Sequence, residues 1–136
     1  MRKASRRLTQ LYDDALAPCG LRSTQFAILC ELAPRAKTPP TLQELADALV
    51  LDRSALGHNL KPLERDGLVG QQASAEDARR RLIVMTPEGK KAFRRAEKLW
   101  RLAQDQFLLA FGEQPAMDLR LTLLKIANDD RLISAK

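Results

Sequence analysis

Apolar side chains recur every three to four residues along much of the chain, a spacing that predicts amphipathic helices. Two such helices are expected at about residues 3–17 and 23–33, separated by a proline and a glycine. A long one is expected at about 87–111 and a last one at about 116–132. The chain therefore opens and closes with helical pairs.

A shorter pair of helices is predicted between them. Thr41 and Glu44 have the spacing of a capping box, so a helix should follow Thr41 and end near Leu49. After a tight connection, Asp52 is a suitable N-cap for a helix over about 53–66. This is the order of a helix-turn-helix unit.

The hydrophobic period changes after Gly67. Two short runs, 68–72 and 81–85, read as strands, and the polar segment 73–80 connects them as a hairpin loop. The predicted fold is mainly α with a small β-hairpin wing, that is, a winged helix-turn-helix flanked by further helices.

Composition narrows the class of protein. The 136 residues are 45% hydrophobic and 29% charged, which is typical of a globular domain. The net charge of +6 favours nucleic acid or another anionic surface as the partner. No apolar run suggests a secretory signal or a bilayer span, so a cytoplasmic location without a membrane partner is expected.

The inventory of chemically reactive residues argues against catalysis. Two cysteines and one histidine are too few for a structural zinc site of the usual type. No convergent set of titratable groups can be assembled into an active site, because Glu44, Asp47 and Asp52 are better explained as caps and surface. We therefore expect no enzyme activity, no metal and no cofactor.

The helix after Asp52 has two different faces when its residues are placed at about 100° intervals. Leu56, Leu60 and Leu63 cluster on the side that should face the core. The opposite face carries Ser54, Gly57, His58, Lys61 and Arg65. Arg53 opens the helix, where backbone N–H groups also favour a phosphate. This face is suited to DNA, although an ordinary solvated face would look similar.

The hairpin adds three guanidinium groups, at Arg79, Arg80 and Arg81. Strand alternation prevents all three from pointing the same way. An arginine at a hairpin tip suits the narrow minor groove of DNA, although such a run can also simply improve solubility. A polar helix face followed by a basic hairpin is better explained by binding to double-stranded DNA than by solubility alone.

Four motifs at fixed order resemble the MarR family of bacterial transcriptional regulators. They are Leu42-x-Glu44-Leu45-Ala46 through Asp52-Arg53-Ser54, Leu60-x-Pro62-Leu63-Glu64-Arg65-Asp66-Gly67-Leu68-Val69, Asp77-x-Arg79, and Thr86-Pro87-x-Gly89. The resemblance implies a homodimer on a pseudo-palindromic operator, often as a repressor. It also implies that Arg79 enters the minor groove and that Asp77 braces the wing by a bond to an arginine.

The dimer has independent support in an apolar seam that a hairpin and short helices cannot cover alone. The seam comprises Phe93, Ala96, Trp100, Ala103 and Phe107. Three parts are expected within one intertwined domain. Helices of 1–34 support the dimer, 35–86 is the DNA-binding lobe, and 87–136 holds the C-terminal dimerisation helices.

Two signals could regulate such a protein. A small aromatic acid could bind near Tyr12, Phe26 and Trp100, although Trp100 is better explained as a core residue. Oxidation could act at Cys19, expected to be exposed in a loop, or at Cys30, expected to be a buried structural thiol. The competing hypothesis for the whole chain is a basic winged-helix adaptor that binds RNA or protein without operator specificity.

Overall fold

A computed structural model describes residues 1–133 as six α-helices and one β-hairpin. In chain order these are α1 (Arg2–Leu16), α2 (Ser23–Leu32), α3 (Leu42–Leu49), α4 (Arg53–Arg65), β1 (Val69–Ala73), β2 (Arg81–Met85), α5 (Pro87–Phe111) and α6 (Glu113–Ala127). The predicted fold class, mainly helical with a hairpin wing, is confirmed.

The chain forms two compact units, Met1–Trp100 and a second that begins at Arg101, so the boundary falls inside α5. The predicted division at 34 and 86 follows expected roles rather than contacts, and it stays a prediction. The last part of that division, 87–136, includes residues 134–136, which lie outside the described residues.

The core of the first unit is built from the apolar stripes of its helices and the inner face of the hairpin. Its fully buried members include Leu16, Ile28, Leu29, Leu45, Leu56, Leu63 and Ile83. Each buried aliphatic side chain contributes about 1.5–3 kcal/mol of transfer free energy. Leu56, Leu60 and Leu63 are all buried, as their helical spacing predicts. This packing fixes which face of α4 is left outside.

The helix α2 starts without the usual short polar residue at its N-cap. Arg22 is the N-cap, and Ser23 is the first helical residue. The Ser23 backbone N–H donates to Asp13 Oδ1 of α1 at 2.7 Å, and the Arg22 N–H donates to Gln25 Oε1 at 3.0 Å. A carboxylate from another helix thus replaces the local cap, which sequence spacing cannot reveal.

The helices α3 and α4 each begin at a local N-cap. Thr41 and Glu44 form the predicted capping box at the start of α3, and at the start of α4 Asp52 Oδ1 accepts from the Ala55 N–H at 2.7 Å. Between the helices, Val50 adopts a left-handed conformation with φ of 55°. This conformation costs a non-glycine residue roughly 1–2 kcal/mol, so the turn is imposed by the packing of both helices.

The hairpin is antiparallel and is tied to the start of α3. Val69 pairs with Met85, and Ala73 pairs with Arg81. On its other edge β2 bonds to the segment before α3, where the Ile83 N–H donates to the Pro40 carbonyl at 2.8 Å. The wing is therefore held on two sides near its base.

The start of α5 locks the end of α4 to the base of the wing. The Thr86 hydroxyl donates to the Gly67 carbonyl at 2.6 Å and accepts from the Gly89 N–H at 3.0 Å. The Thr86 N–H donates to the Leu68 carbonyl at 3.0 Å. Gly89 is buried against Leu68, and a Cβ added at Gly89 would lie 2.0 Å from the Leu68 oxygen. Glycine is the residue that allows this close approach.

The last helix differs from its predicted bounds of 116–132. It begins at Glu113 and ends at Ala127, followed by a short 3-10 turn at Asp130–Leu132. Pro115 was expected to precede this helix but occupies its first turn, where its missing N–H breaks no intrahelical bond.

The predicted seam on α5 has neighbours within the chain at its first three positions. Phe93 stacks on Phe26 with ring centroids 5.7 Å apart, and Trp100 contacts the same ring at 6.2 Å. Ala96 is completely buried in the core of the first unit. In the second unit Ala103 is buried, while the Phe107 ring stacks on Phe111 at 4.8 Å. Other apolar side chains of α5 and α6, such as Leu109 and Leu123, are exposed.

We predict that Gly89→Ala destabilises the protein by about 3 kcal/mol or more, because the added methyl group overlaps a backbone carbonyl that cannot move freely. Urea unfolding of the purified variant measures this change. Gly57→Ala is the matched control, since its Cβ meets nothing within 4 Å and alanine favours a helix by up to about 1 kcal/mol. A Gly89→Ala variant within about 0.5 kcal/mol of the wild type would contradict this account.

Candidate nucleic-acid interface

One face of α4 is turned away from the core and presents the predicted polar set. Ser54, His58, Lys61 and Arg65 are exposed, and Arg53 is exposed at the first helical position. They lie opposite the buried leucines of the same helix. The structure therefore brings together the α4 residues that sequence reasoning singled out, on a helix that follows a tight turn.

Gly57 lies in the middle of that face. No atom outside its own helix lies within 4 Å of a Cβ built there, and its backbone φ is not positive. Glycine weakens a helix interior by about 1 kcal/mol relative to alanine. Neither packing nor backbone conformation therefore requires glycine at this position. Glycine here would matter only to a surface outside the chain that approaches the helix closely.

Asn59 fixes the rotation of α4 and was missed by the sequence analysis. Its Nδ2 donates to the Ala55 carbonyl at 3.0 Å, and its Oδ1 accepts from the Thr24 hydroxyl of α2 at 3.2 Å. The only signal in the sequence is a polar residue beside the apolar stripe. Its partner on another helix could not be inferred from spacing.

The wing tip is an ordered turn. The Ser74 N–H donates to the Arg80 carbonyl at 2.9 Å, and the Arg80 N–H donates to the Asp77 carbonyl at 3.0 Å. The Asp77 carboxylate accepts from the backbone N–H of Arg79 at 2.9 Å. Asp77 was expected to brace the wing by binding an arginine side chain. The bond that the structure shows is to the arginine backbone, so Asp77 sets the shape of the turn and leaves the Arg79 guanidinium exposed.

The three wing arginines occupy three different environments. Arg79 lies in the turn, Arg81 begins β2, and Arg80 Nη2 is 3.6 Å from Glu44 Oε1 on α3. Both partners of this ion pair are more than half exposed, so solvent screens their attraction. Arg80 is thus restrained weakly and can exchange Glu44 for another anion.

Glu44 has two roles that the sequence showed only in part. Hydrogen bonds with Thr41, and then the charge of Arg80, hold the pKa of the Glu44 carboxyl below its usual value. The carboxylate is therefore ionised throughout the neutral range. It caps α3 and at the same time pairs with Arg80 of the wing.

The two thiols exchange their expected environments. Cys19, predicted to be exposed, is half-buried, and its Sγ donates to the Leu16 carbonyl at 3.0 Å. Cys30, predicted to be buried, is exposed on α2 because it lies beside the helix face that enters the core. Partial burial, then Glu97 and Glu31, raise the pKa of the Cys30 thiol to about 11. Both cysteines are free.

The aromatic rings considered as a ligand site contact one another. Tyr12 stacks on Trp100 with centroids 6.3 Å apart, and Trp100 contacts Phe26 at 6.2 Å. Tyr12 and Trp100 remain partly exposed, whereas Phe26 is buried. The rings therefore form a packed cluster whose outer edge reaches the surface.

The chain is similar to known transcriptional regulators. The sequence model of the MarR family matches residues 21–80, which include α4 and most of the wing. The chain is 27% identical over 112 residues to YwoH, an HTH-type transcriptional regulator of Bacillus subtilis (strain 168), covering 82% of this chain and 80% of that protein. Within residues 1–133, no helix is both long and apolar enough to cross a bilayer.

Two similar structures were solved with DNA. One is the transcriptional regulator MosR of M. tuberculosis in complex with DNA, which is 36% identical, with 97% and 95% of the two chains covered and a TM-score of 0.78. The other is the repressor CouR bound to a 23-mer duplex, which is 26% identical, with 93% and 89% covered and a TM-score of 0.85. CouR from Rhodococcus jostii RHA1 has also been solved with p-coumaroyl-CoA.

The raised pKa of Cys30 leads to a prediction about thiol reactivity. In a Cys19→Ser background, iodoacetamide should modify Cys30 at pH 7.5 roughly ten- to thirty-fold more slowly than free cysteine, because little thiolate is present. The rate should keep rising with pH towards about 11, and Glu97→Gln should increase it at neutral pH. Mass spectrometry of the modified protein gives the rates, and a rate that levels off near pH 8.5 would contradict the shift.

Proposed function

Because the chain belongs to the MarR family of transcriptional regulators, we propose that it acts as a homodimeric repressor on a pseudo-palindromic operator. Members of this family are non-enzymatic DNA-binding proteins, and this chain is a DNA-binding transcriptional regulator with a winged helix-turn-helix. The proposal adds four points: the chain is a dimer, it represses, named residues contact DNA, and a signal releases the protein from DNA.

One observation carries the DNA-contact part of the proposal: Gly57 interrupts the exposed face of α4 where nothing in the fold requires glycine. In the proposed complex α4 enters the major groove, and the missing side chain lets its backbone approach the bases. Ser54 and His58 then reach base edges, while Arg53, Lys61 and Arg65 contact bases or phosphates.

The wing completes the contact in this proposal. Arg79 enters the adjacent minor groove, where the negative potential is strongest when the groove is narrow. Arg80 and Arg81 contact the flanking phosphates. The ordered turn around Asp77 supports this role, because it presents the Arg79 side chain without holding its guanidinium.

The proposed dimer rests on the apolar surface of the second unit. Its exposed apolar residues are Leu102, Leu108, Leu109, Phe111, Met117, Leu119, Leu121, Leu123, Leu124 and Ile126. Leu109 and Phe111 are 88% and 62% exposed. Monomeric proteins rarely leave so many large apolar side chains in contact with water. A second copy is the occupant we propose, since two-fold dimers are the most frequent assemblies.

The proposed release signal is a small aromatic acid or its thioester rather than oxidation. The high pKa of Cys30 disfavours its reactive thiolate, and the Cys19 thiol is occupied by the Leu16 carbonyl. The partly exposed rings of Tyr12 and Trp100 offer a surface for aromatic stacking. The solved complex of CouR with p-coumaroyl-CoA gives a precedent in a similar structure.

Selection of bound sequences from a random duplex pool tests the proposal as a whole. We expect a two-fold symmetric site with half-sites about one helical turn apart. Arg79→Ala should weaken binding to that site and lower the salt dependence of log K by about one, with unchanged unfolding free energy. An asymmetric site, or wild-type affinity for Arg79→Ala, would overturn the dimer or the wing assignment respectively. Parallel titrations with salicylate and peroxide separate the two release signals.

Gly57→Ala gives a sharper test of the α4 assignment. The variant should be as stable as the wild type or more so, yet bind the selected operator at least ten-fold more weakly, because the methyl group blocks close approach. Fluorescence anisotropy and urea unfolding on the same preparation separate affinity from stability. Gly70→Ala, on the wing strand, is the control for glycine replacement, since its added Cβ meets only Val84 at 3.8 Å. Undiminished operator binding by Gly57→Ala would show that α4 does not approach DNA at this point.

A further inference from the structure

Five cations lie on one side of α5 within nine residues. They are Lys90, Lys91, Arg94, Arg95 and Lys98, and all five are exposed. At about 100° per residue their directions fall within an arc of about 140°. Ala92 and Ala96, on the opposite side, are buried. We call these five residues the basic face of α5.

The positive charge of the basic face is not neutralised by an ion pair within the part of the chain that the structure describes. None of its five residues takes part in an ion pair among residues 1–133. The acidic residues of the same stretch are Glu88 and Glu97, and Glu97 lies close enough to Cys30 to raise the pKa of its thiol. Five exposed cations this close together produce a positive potential that attracts a polyanion.

A second copy of the chain is a poor occupant for this face. A two-fold interface places the same patch of each subunit against its counterpart, which would bring like charges together. The apolar surface of the second unit is chemically suited to that role instead. The basic face is therefore available to a negatively charged partner.

The helix that carries the basic face begins at the base of the proposed DNA-binding unit. The Thr86 hydroxyl, just before α5, bonds to the Gly67 carbonyl at the end of α4. Gly89 packs against Leu68, so Lys90 and Lys91 follow directly after the contact between α4, the wing and α5. A DNA duplex is the polyanion of the proposed function, and its regular row of phosphates complements five exposed cations on one side of a helix.

We propose that the basic face of α5 binds phosphates of the operator duplex outside the bases that α4 and the wing read. This inference rests on the proposed function. From Lys90 to Lys98 the helix rises about 12 Å, which matches about three phosphates along one strand at 3.4 Å each. Because phosphates carry no base identity, this contact lengthens the footprint and adds affinity without adding sequence specificity.

The test uses two duplexes and the full-length protein. The short duplex holds only the selected operator, and the long one adds about one helical turn of unrelated sequence at each end. The variant combines Lys90→Gln, Arg94→Gln and Lys98→Gln. On the long duplex we expect this variant to lower the slope of log K against log salt by about two to three, since each lost phosphate contact lowers it by about 0.9. On the short duplex the slope should equal that of the wild type.

A charge-matched control combines Arg2→Gln, Lys3→Gln and Arg6→Gln on α1, which removes three exposed cations from another helix. It should keep the wild-type slope on both duplexes. The inference is wrong if the α5 variant keeps the wild-type slope on the long duplex, or if the control lowers that slope equally. If the wild type does not bind the short duplex specifically, the proposed function itself is wrong.

Discussion

The first turn of α5 packs directly on the end of α4, and most of the DNA-binding geometry follows from that contact. Gly89 lets the two backbones approach. Thr86 hydrogen-bonds to the carbonyls of Gly67 and Leu68, which follow α4 in the chain. The hairpin leaves from one side of this contact and returns to the other. Its distance from α4 is therefore set by backbone atoms rather than by flexible side chains. A protein that places a helix and a hairpin in neighbouring grooves requires this kind of fixed spacing.

Much of this architecture follows from local sequence rules. The capping box at Thr41, the cap at Asp52 and the leucine stripe of α4 depend on residues three or four apart, and their predicted arrangement is confirmed. The spacing of apolar residues along α4 also predicted which of its faces is exposed. What can be read in this way is the identity and the orientation of an element, because both depend on neighbours in the chain.

Several of the features that sequence reasoning missed involve partners from distant segments. Asp13 caps α2 from another helix, and Asn59 bonds across to Thr24. Cys19 and Cys30 exchanged expected environments because burial depends on which neighbouring helix covers each position. The apolar residues of α5 illustrate the same limit. Their period indicated that they would be covered, but only the tertiary structure shows that Phe93 and Trp100 meet Phe26 of the same chain.

Val50 has a consequence for how this protein can adapt to temperature. It is a β-branched residue in a left-handed conformation, and its side chain is 73% exposed. The strain is therefore not offset by burial of the Val50 side chain in the core. Glycine or asparagine adopts this conformation at lower cost. A lineage that needed a higher melting temperature could begin at this turn and leave both the hydrophobic core and the surface proposed to meet DNA unchanged.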